Sequence, residues 1–302
     1  MTDEGERGGC ARWLVLAALV GCTDAGSLED TNAGGSTTAT SGGETTVDAS
    51  DDSTDTGQSE PTCSAEDDDM VCVEAGPFRM GCNMELDANC SATEFPYHEV
   101  ELDRFAIDVQ EVTVAAYRAC VEAGACSEPD PCNWARPDAD DHPINCVDWE
   151  QAQAYCAWVG KRLPTEAEWE KAARGTDERT YPWGEDEPDC TRAVIVSDEG
   201  EGCGGGGTHP VGSRPAGASP YGALDMIGNV EEWVSDWFDS AAYAESSGVN
   251  PQGPEQGSHR IVRGGTWRSS DPRTTRAAWR WGNVPAVRYE AGGFRCAKSL
   301  GS

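Results

Sequence analysis

Apolar residues recur at helical spacing in a few stretches of the chain and alternate or cluster without a sustained period elsewhere. Between Asp148 and Gly160, the residues Trp149, Ala152, Tyr155, Cys156 and Val159 fall on one stripe, which predicts an amphipathic helix. Asp148 suits its N-cap, and Gly160 suits the position just past its end. A second helix is predicted from Thr165, because Glu168 stands three residues further on. In that capping box each side chain satisfies a free backbone N–H of the other residue's turn. Pro164 keeps the two helices apart and Gly175 ends the second. Thr113 to Ala123 predicts another helix, with Thr113 as N-cap, Val114, Tyr117 and Val121 inward, and Gly124 at its end. The remaining chain holds much of the 17 prolines, 35 glycines and 11 tryptophans, so short strands and long irregular loops are expected there. No internal repeat is found.

The amino-terminal pattern differs. Residues 12–22 read RWLVLAALVGC, an apolar run too short to cross a bilayer as a permanent helix. It fits a secretory signal peptide over residues 1–21. Leu19-Val20-Gly21-Cys22 resembles a bacterial lipobox, which predicts a lipid on Cys22 and attachment to a membrane through that anchor. Residues 22–62 are then an acidic Ser/Thr/Gly tether: from 23 onward they carry no Lys or Arg and too little apolar surface to offset the entropy of ordering. A single domain is expected over residues 63–302.

Charge narrows the partners. Against 22 basic side chains stand 54 acidic ones, a formal net charge of -32. No basic patch exists to neutralise phosphates, so nucleic acid is excluded as a partner. Such a surface favours cationic or metal partners. Of 14 cysteines, twelve lie beyond Cys10 and Cys22. An even number in an exported chain reads as disulfides, and near neighbours such as Cys82 with Cys90 and Cys190 with Cys203 are the first pairs to consider. Connectivity is otherwise open. A structural zinc site is a weak alternative, because no CxxC pair occurs and histidines number four.

The literal motifs say more. GKRLPTEAEWEKAARG spans Gly160 to Gly175. In chain order it is flanked by Gly76-Pro77-Phe78-Arg79-Met80-Gly81, Glu111-Val112-Thr113, Tyr181-Pro182-Trp183-Gly184 and Pro210-Val211-Gly212. YGALDMIGNVEEW follows at Tyr221 to Trp233, then Arg263-Gly264-Gly265-Thr266-Trp267 and Gly292-Gly293-Phe294-Arg295-Cys296. This series resembles the formylglycine-generating enzyme (sulfatase-modifying factor) family over roughly residues 70 to 298. Glu231 departs from the pattern, standing where the family has Trp. The resemblance implies the family's α+β fold, related to C-type lectin domains, and a disulfide between Cys156 and Cys296. It also implies a Ca²⁺ held by the side chains of Asp225 and Glu232 and the backbone carbonyls of Gly228 and Val230, hard oxygen donors that suit that ion. A second family calcium site falls in the loop SDEGEGCGGGGT, where Asp198 is the candidate.

The family's enzyme oxidises a sulfatase cysteine to formylglycine, using oxygen and copper(I) on two thiolates. Between Cys203 and Cys296 this chain has no cysteine. The ligand positions fall near Ser269 and, within Arg273 to Thr275, near Thr275. Hydroxyls are hard donors that do not hold Cu(I), so no copper is expected. Another branch of the family uses a three-histidine iron site, whereas His98, His142, His209 and His259 are scattered singly. The family's substrate groove is lined by the segment that here carries Arg263, Arg268, Arg273, Arg276, Arg280 and Arg295. Arg268, Arg273 and Arg276 are therefore groove candidates for a carboxylate, sulfate or peptide backbone, with internal ion pairs as the competing role. The sequence thus reads as an exported, lipid-anchored cell-envelope protein whose domain binds a peptide or other ligand or acts as a scaffold, without copper-dependent activity. The alternative is a divergent oxidoreductase of the formylglycine-generating or non-haem iron kind, acting on an exported protein or small molecule.

Overall fold

A computed structural model describes residues 69–300. The signal peptide over 1–21, the lipid site Cys22 and the tether over 22–62 lie outside the described residues.

The predicted helices form where their caps place them. The first, α1 (Val114–Glu122), starts because Thr113 accepts a hydrogen bond from the Ala116 N–H. The second, α2 (Trp149–Trp158), starts at Asp148, which makes a capping box with Gln151. The third, α3 (Glu166–Arg174), carries the Thr165–Glu168 box and stops at Gly175. One position of the α2 stripe is corrected: Val159 is exposed rather than inward, because the helix closes at Trp158 and Val159 lies beyond its last buried turn. A short α4 (Ala242–Glu245) was not predicted.

The strands are short and arranged in separate sheets. β1 (Met70–Val73), β4 (Phe105–Asp108) and β9 (Ala297–Ser299) form an antiparallel sheet in the order β1-β4-β9. β2 (Gly76–Met80) pairs antiparallel with β3 (His98–Leu102). β5 (Glu231–Trp237), β6 (Arg260–Arg263), β7 (Arg280–Asn283) and β8 (Gly292–Gly293) make the largest sheet, in the order β7-β6-β5-β8, with β8 parallel to β5. The motif YGALDMIGNVEEW thus runs into the central strand β5, and the RGG motif closes β6.

Two apolar clusters fill the interior. One surrounds Trp169 of α3 with Phe78, Met80, Val100, Leu102, Ile107, Val234 and Ile261, so α3 is packed against β2, β3, β5 and β6. The other gathers Tyr117, Tyr155, Trp233 and Phe294 around the Cys156–Cys296 disulfide, which closes with an S–S distance of 1.99 Å. Tyr117 and Tyr155 stack at 5.7 Å, and Phe294 meets the Tyr155 ring at 5.5 Å. Offset and edge-on aromatic packing of this kind contributes beyond the area it buries. Four more disulfides join Cys82–Cys90, Cys120–Cys126, Cys132–Cys146 and Cys190–Cys203. They fit an oxidising compartment. Among the described residues no helix is long and apolar enough to cross a membrane.

Candidate functional site

α3 is charged yet buried along its whole length, so each of its ions requires a partner. Glu166 accepts from Arg280 Nε at 2.7 Å and from Arg263 Nη1 at 3.2 Å. Glu170 takes Arg263 Nη2 at 2.7 Å and the Gly81 N–H at 2.8 Å. Glu168 pairs with both Nη atoms of Arg162 at 2.6 Å. Lys171 donates to the carbonyls of Glu74 and Gly76 at 2.7 and 2.8 Å, and burial lowers its pKa to about 8. This helix therefore anchors the arginine-rich segment that follows β6.

That anchoring corrects part of the expected groove. Arg276 is fully buried and pairs with Glu94 and Asp87, each at 2.8 Å, so it cannot face a substrate in this state. Arg263, Arg280 and Arg295 are likewise fully buried. The competing role wins for these four because the interior supplies carboxylates for each. Arg268 and Arg273 remain at the surface. Arg268 lies 4.1 Å over the Trp267 ring and bonds Glu290 and Glu201, while Arg273 is paired with Asp271.

Ser269 and Thr275, near which the copper-ligand positions are expected, are turn-forming hydroxyls. Ser269 Oγ accepts from the Thr266 N–H at 2.9 Å, and Thr275 Oγ1 donates to the Pro272 carbonyl at 3.3 Å. Gly265 permits this tight turn: its φ is +68°, and a Cβ there would sit 2.3 Å from the Thr274 carbonyl oxygen. Neither hydroxyl fits a soft Cu(I) ion. Each of the eleven cysteines among the described residues is disulfide-bonded.

The calcium candidates Asp225 and Glu232 are buried, as is Glu111, but the oxygens of these three carboxylates are not gathered within 4.8 Å of one another. Asp225 and Asn229 adopt left-handed backbone, φ 56° and 57°, which folds the segment back on itself before β5. Asp225 is buried and accepts the Gly212 N–H at 2.5 Å. Glu232 receives Arg295 Nε and Nη2, both at 2.7 Å, and Trp169 Nε1 at 2.8 Å. Glu111 joins them, accepting from Asn229 Nδ2 at 2.7 Å and the Val230 N–H at 3.2 Å. Burial, then the negative charges of Asp225 and Glu232, push the Glu111 carboxyl well above the usual carboxylate range. Asp225 is also raised, chiefly by burial. Glu232 alone hydrogen-bonds Arg295, whose charge also reaches Glu111 and Asp225, with Arg214 acting on Asp225 as well; a hard divalent cation would offset the remaining negative charge. In the sequence Glu111 stands only in the Glu111-Val112-Thr113 motif, and its place three residues past β4 gives no hint that it reaches Asn229 and Val230 just before β5. Asp198, the candidate for a second site, is exposed in the Ser197–Gly200 turn.

Other polar groups meet without having been predicted together. His142 bonds Thr208 Oγ1 at 2.9 Å through Nδ1, and His209 bonds the Gly202 carbonyl at 2.9 Å through Nε2. The His142 pKa is lowered, first by burial, with Arg136 and His209 adding to the shift. His98 and His259 sit elsewhere, against Pro96 and Ser258. A cavity of about 300 Å³ is lined by His98, Tyr243, Met80, Asp236, Asp239 and Glu245 among others. Its walls combine an aromatic face with acidic groups. Burial and the nearby Glu166 charge raise Asp236 to about 7.

Residues 55–300 match the family described as sulfatase-modifying factor enzyme 1-like domain. The formylglycine-generating enzyme of Thermomonospora curvata is 33% identical over 284 residues, covering 76% of this chain and 92% of that enzyme. The serine/threonine-protein kinase pkn1 of Chlamydia caviae is 36% identical over 252 residues, which cover 77% of this chain and only 38% of the kinase's length. The structure of PvdO from Pseudomonas aeruginosa superposes with a TM-score of 0.65 at 28% identity, covering 76% of this chain and 94% of that one.

Proposed function

This chain belongs to the sulfatase-modifying factor enzyme 1-like family, and from that premise we propose that it is a ligand- or peptide-binding domain of an exported protein that does not carry out copper-dependent cysteine oxidation. The observation that carries the reading is the chemistry at Ser269 and Thr275, hydroxyls spent on turns where copper(I) needs thiolates. The ligand seat we favour is the cavity bounded by Tyr243, Met80, His98 and the buried Asp236, with the exposed Asp239 and Glu245 toward its mouth. Its carboxylates and aromatic face suit a cationic side chain or amine. Asp225, Glu232 and the carbonyls of Gly228 and Val230 would hold a structural Ca²⁺, with Glu111 beside them. The ion would supply charge neutralisation and hold the start of β5 against Arg295. In the cell the lipid at Cys22 would keep the domain at the envelope membrane. Isothermal titration of the purified protein with arginine- and lysine-bearing peptides tests the binding role. Saturable binding lost in Asp239→Asn/Glu245→Gln supports it, and equal binding by both proteins or none at all counts against it.

The competing reading is a divergent oxidoreductase of the non-haem iron kind. It is favoured only by His142 and His209, which lie within electrostatic reach of each other. Iron in this family is held by three histidines, and His98 and His259 bond elsewhere. Iron titration followed by a spectrum of the Fe(II)–nitrosyl adduct tests it; a stoichiometric adduct lost in His209→Ala would favour this reading over the first.

A further inference from the structure

We infer that the Cys82–Cys90 disulfide is a thiol–disulfide exchange site, which takes an extended, apolar, cysteine-bearing segment of another polypeptide as its substrate. This goes beyond the binding role above and does not depend on it. The two sulfurs are unequal: Cys82 is 1% exposed, whereas Cys90 is partly exposed, so an incoming thiolate reaches Cys90. Cys82 is then the leaving group. Its sulfur lies 3.3 Å from Arg276 Nη1, which can donate to the charge that develops there, while the Asp87 carboxylate that shares this guanidinium stands 3.4 Å from the same sulfur. Glu94 places a carboxyl oxygen within 4.8 Å of both sulfurs. That carboxylate accepts from Arg276 Nη1 at 3.1 Å and Nη2 at 2.8 Å, so it holds the guanidinium beside the departing sulfur. Cys132–Cys146 and Cys190–Cys203 also have a partly exposed sulfur, but among the described hydrogen bonds no guanidinium reaches either of those pairs.

The surroundings suit a peptide. The loop closed by this disulfide displays Met84 and Leu86, 72% and 59% exposed, side chains that burial elsewhere in the protein does not use. Beside it an open cavity of about 630 Å³ is lined by Phe95, Pro96, Tyr97 and Met84, with Arg79, Glu85 and Glu178 at its edge. These surfaces would hold the apolar residues that flank the attacking cysteine. In the reaction the substrate sulfur bonds to Cys90 Sγ as the Cys82–Cys90 bond breaks. The electron pair leaves on Cys82 Sγ, which departs as a thiolate beside Arg276 Nη1. A second thiolate of the substrate then attacks the mixed disulfide, which releases Cys90 as a thiolate and the substrate as its own disulfide. Two electrons pass from the substrate dithiol to the protein disulfide, so no other oxidant is needed for one turnover.

The test is a time course of the oxidised full chain with a synthetic peptide carrying two cysteines between apolar residues, quenched in acid, alkylated and mapped by mass spectrometry. Cys82–Cys90 is expected to open at least on the order of tenfold faster than Cys190–Cys203 or Cys132–Cys146, with the mixed disulfide on Cys90 and oxidised peptide as product. Arg276→Gln is expected to slow that opening by on the order of tenfold while leaving the rate at Cys190–Cys203 unchanged. Similar rates at all disulfides, or a mixed disulfide on Cys82, would overturn the assignment. Equal slowing at both sites in Arg276→Gln would overturn the role of Arg276. The wild-type time course decides the main point even if a variant fails to fold.

Discussion

Glu166 and Arg280 meet as a planar fork inside the protein, with Nε to Oε1 at 2.7 Å and Nη2 to Oε2 at 2.9 Å. The same carboxylate also accepts from Arg263 Nη1 at 3.2 Å and from the Tyr243 hydroxyl at 3.1 Å. One residue of the TEAEWE motif therefore neutralises two arginines of the segment that follows β5. A buried pair such as this contributes little relative to an apolar substitute, but removing one member leaves a charge with no solvent.

Glu166→Gln is accordingly expected to cost about 3–5 kcal/mol of unfolding free energy, because Arg263 and Arg280 lose charge compensation together. Urea denaturation of the two proteins measures it. A loss below about 1 kcal/mol would mean that the two guanidiniums are solvated.

Stability should fall as pH rises from about 4 to about 7. Asp236 is buried, accepts the Glu166 N–H at 2.9 Å and has its pKa raised to about 7, mainly by burial and then by the Glu166 charge. A carboxyl raised in the folded state contributes its full stability below its unfolded value near 4 and loses it between about pH 4 and 7. The slope approaches about 1.4 kcal/mol per pH unit for one such group. Asp236→Asn keeps an acceptor for the same bond and should flatten that part of the profile. An unchanged slope would show that other groups carry it.

The Cys156–Cys296 disulfide closes a loop with a sequence separation of 140 residues. In the chain-entropy account such a crosslink contributes about 5 kcal/mol. Both sulfurs are fully buried, so Cys156→Ser/Cys296→Ser also leaves polar groups in an aromatic cluster. The double variant should therefore lose at least that amount in denaturant unfolding. Cys120→Ser/Cys126→Ser, which opens a separation of only 6 residues, should lose distinctly less.

For calcium, the expected outcome is a lower melting temperature when a chelator is added to the wild type, and no further change when it is added to Asp225→Ala. Glu111→Gln removes one of the three carboxylates that the Arg295 charge reaches. If the cluster holds the ion, this variant binds it more weakly. If the cluster is empty in solution, Glu111→Gln is stabilising and indifferent to chelator.

Much of the fold was legible because local chemistry decides it. Thr113, Asp148 and Thr165 cap helices in the sequence and in the structure, since a cap is satisfied within three residues. The ordered motifs carried the fold class for the same reason: each belongs to one turn or strand. Pairings over long separations were harder. Nothing local says that Arg276 meets Glu94 across 182 positions, or that Glu111 reaches Asn229 across 118. Arginine side chains in particular read alike whether they line a groove or brace a core, and only the buried carboxylates of α3 and its surroundings separate the two. Val159 failed for a smaller reason, a helix that ends one residue earlier than its apolar stripe.

The most direct measurement is an oxidation assay with the purified full chain, reconstituted with copper(I) under oxygen and given a sulfatase peptide that bears the cysteine substrate. Loss of the peptide thiol to an aldehyde is read by mass spectrometry alongside the bound-metal content, and peptide disulfide is scored separately from aldehyde. With hydroxyls at Ser269 and Thr275, the account predicts no stoichiometric copper and no aldehyde product. Copper held at one equivalent together with formylglycine in the peptide would contradict it.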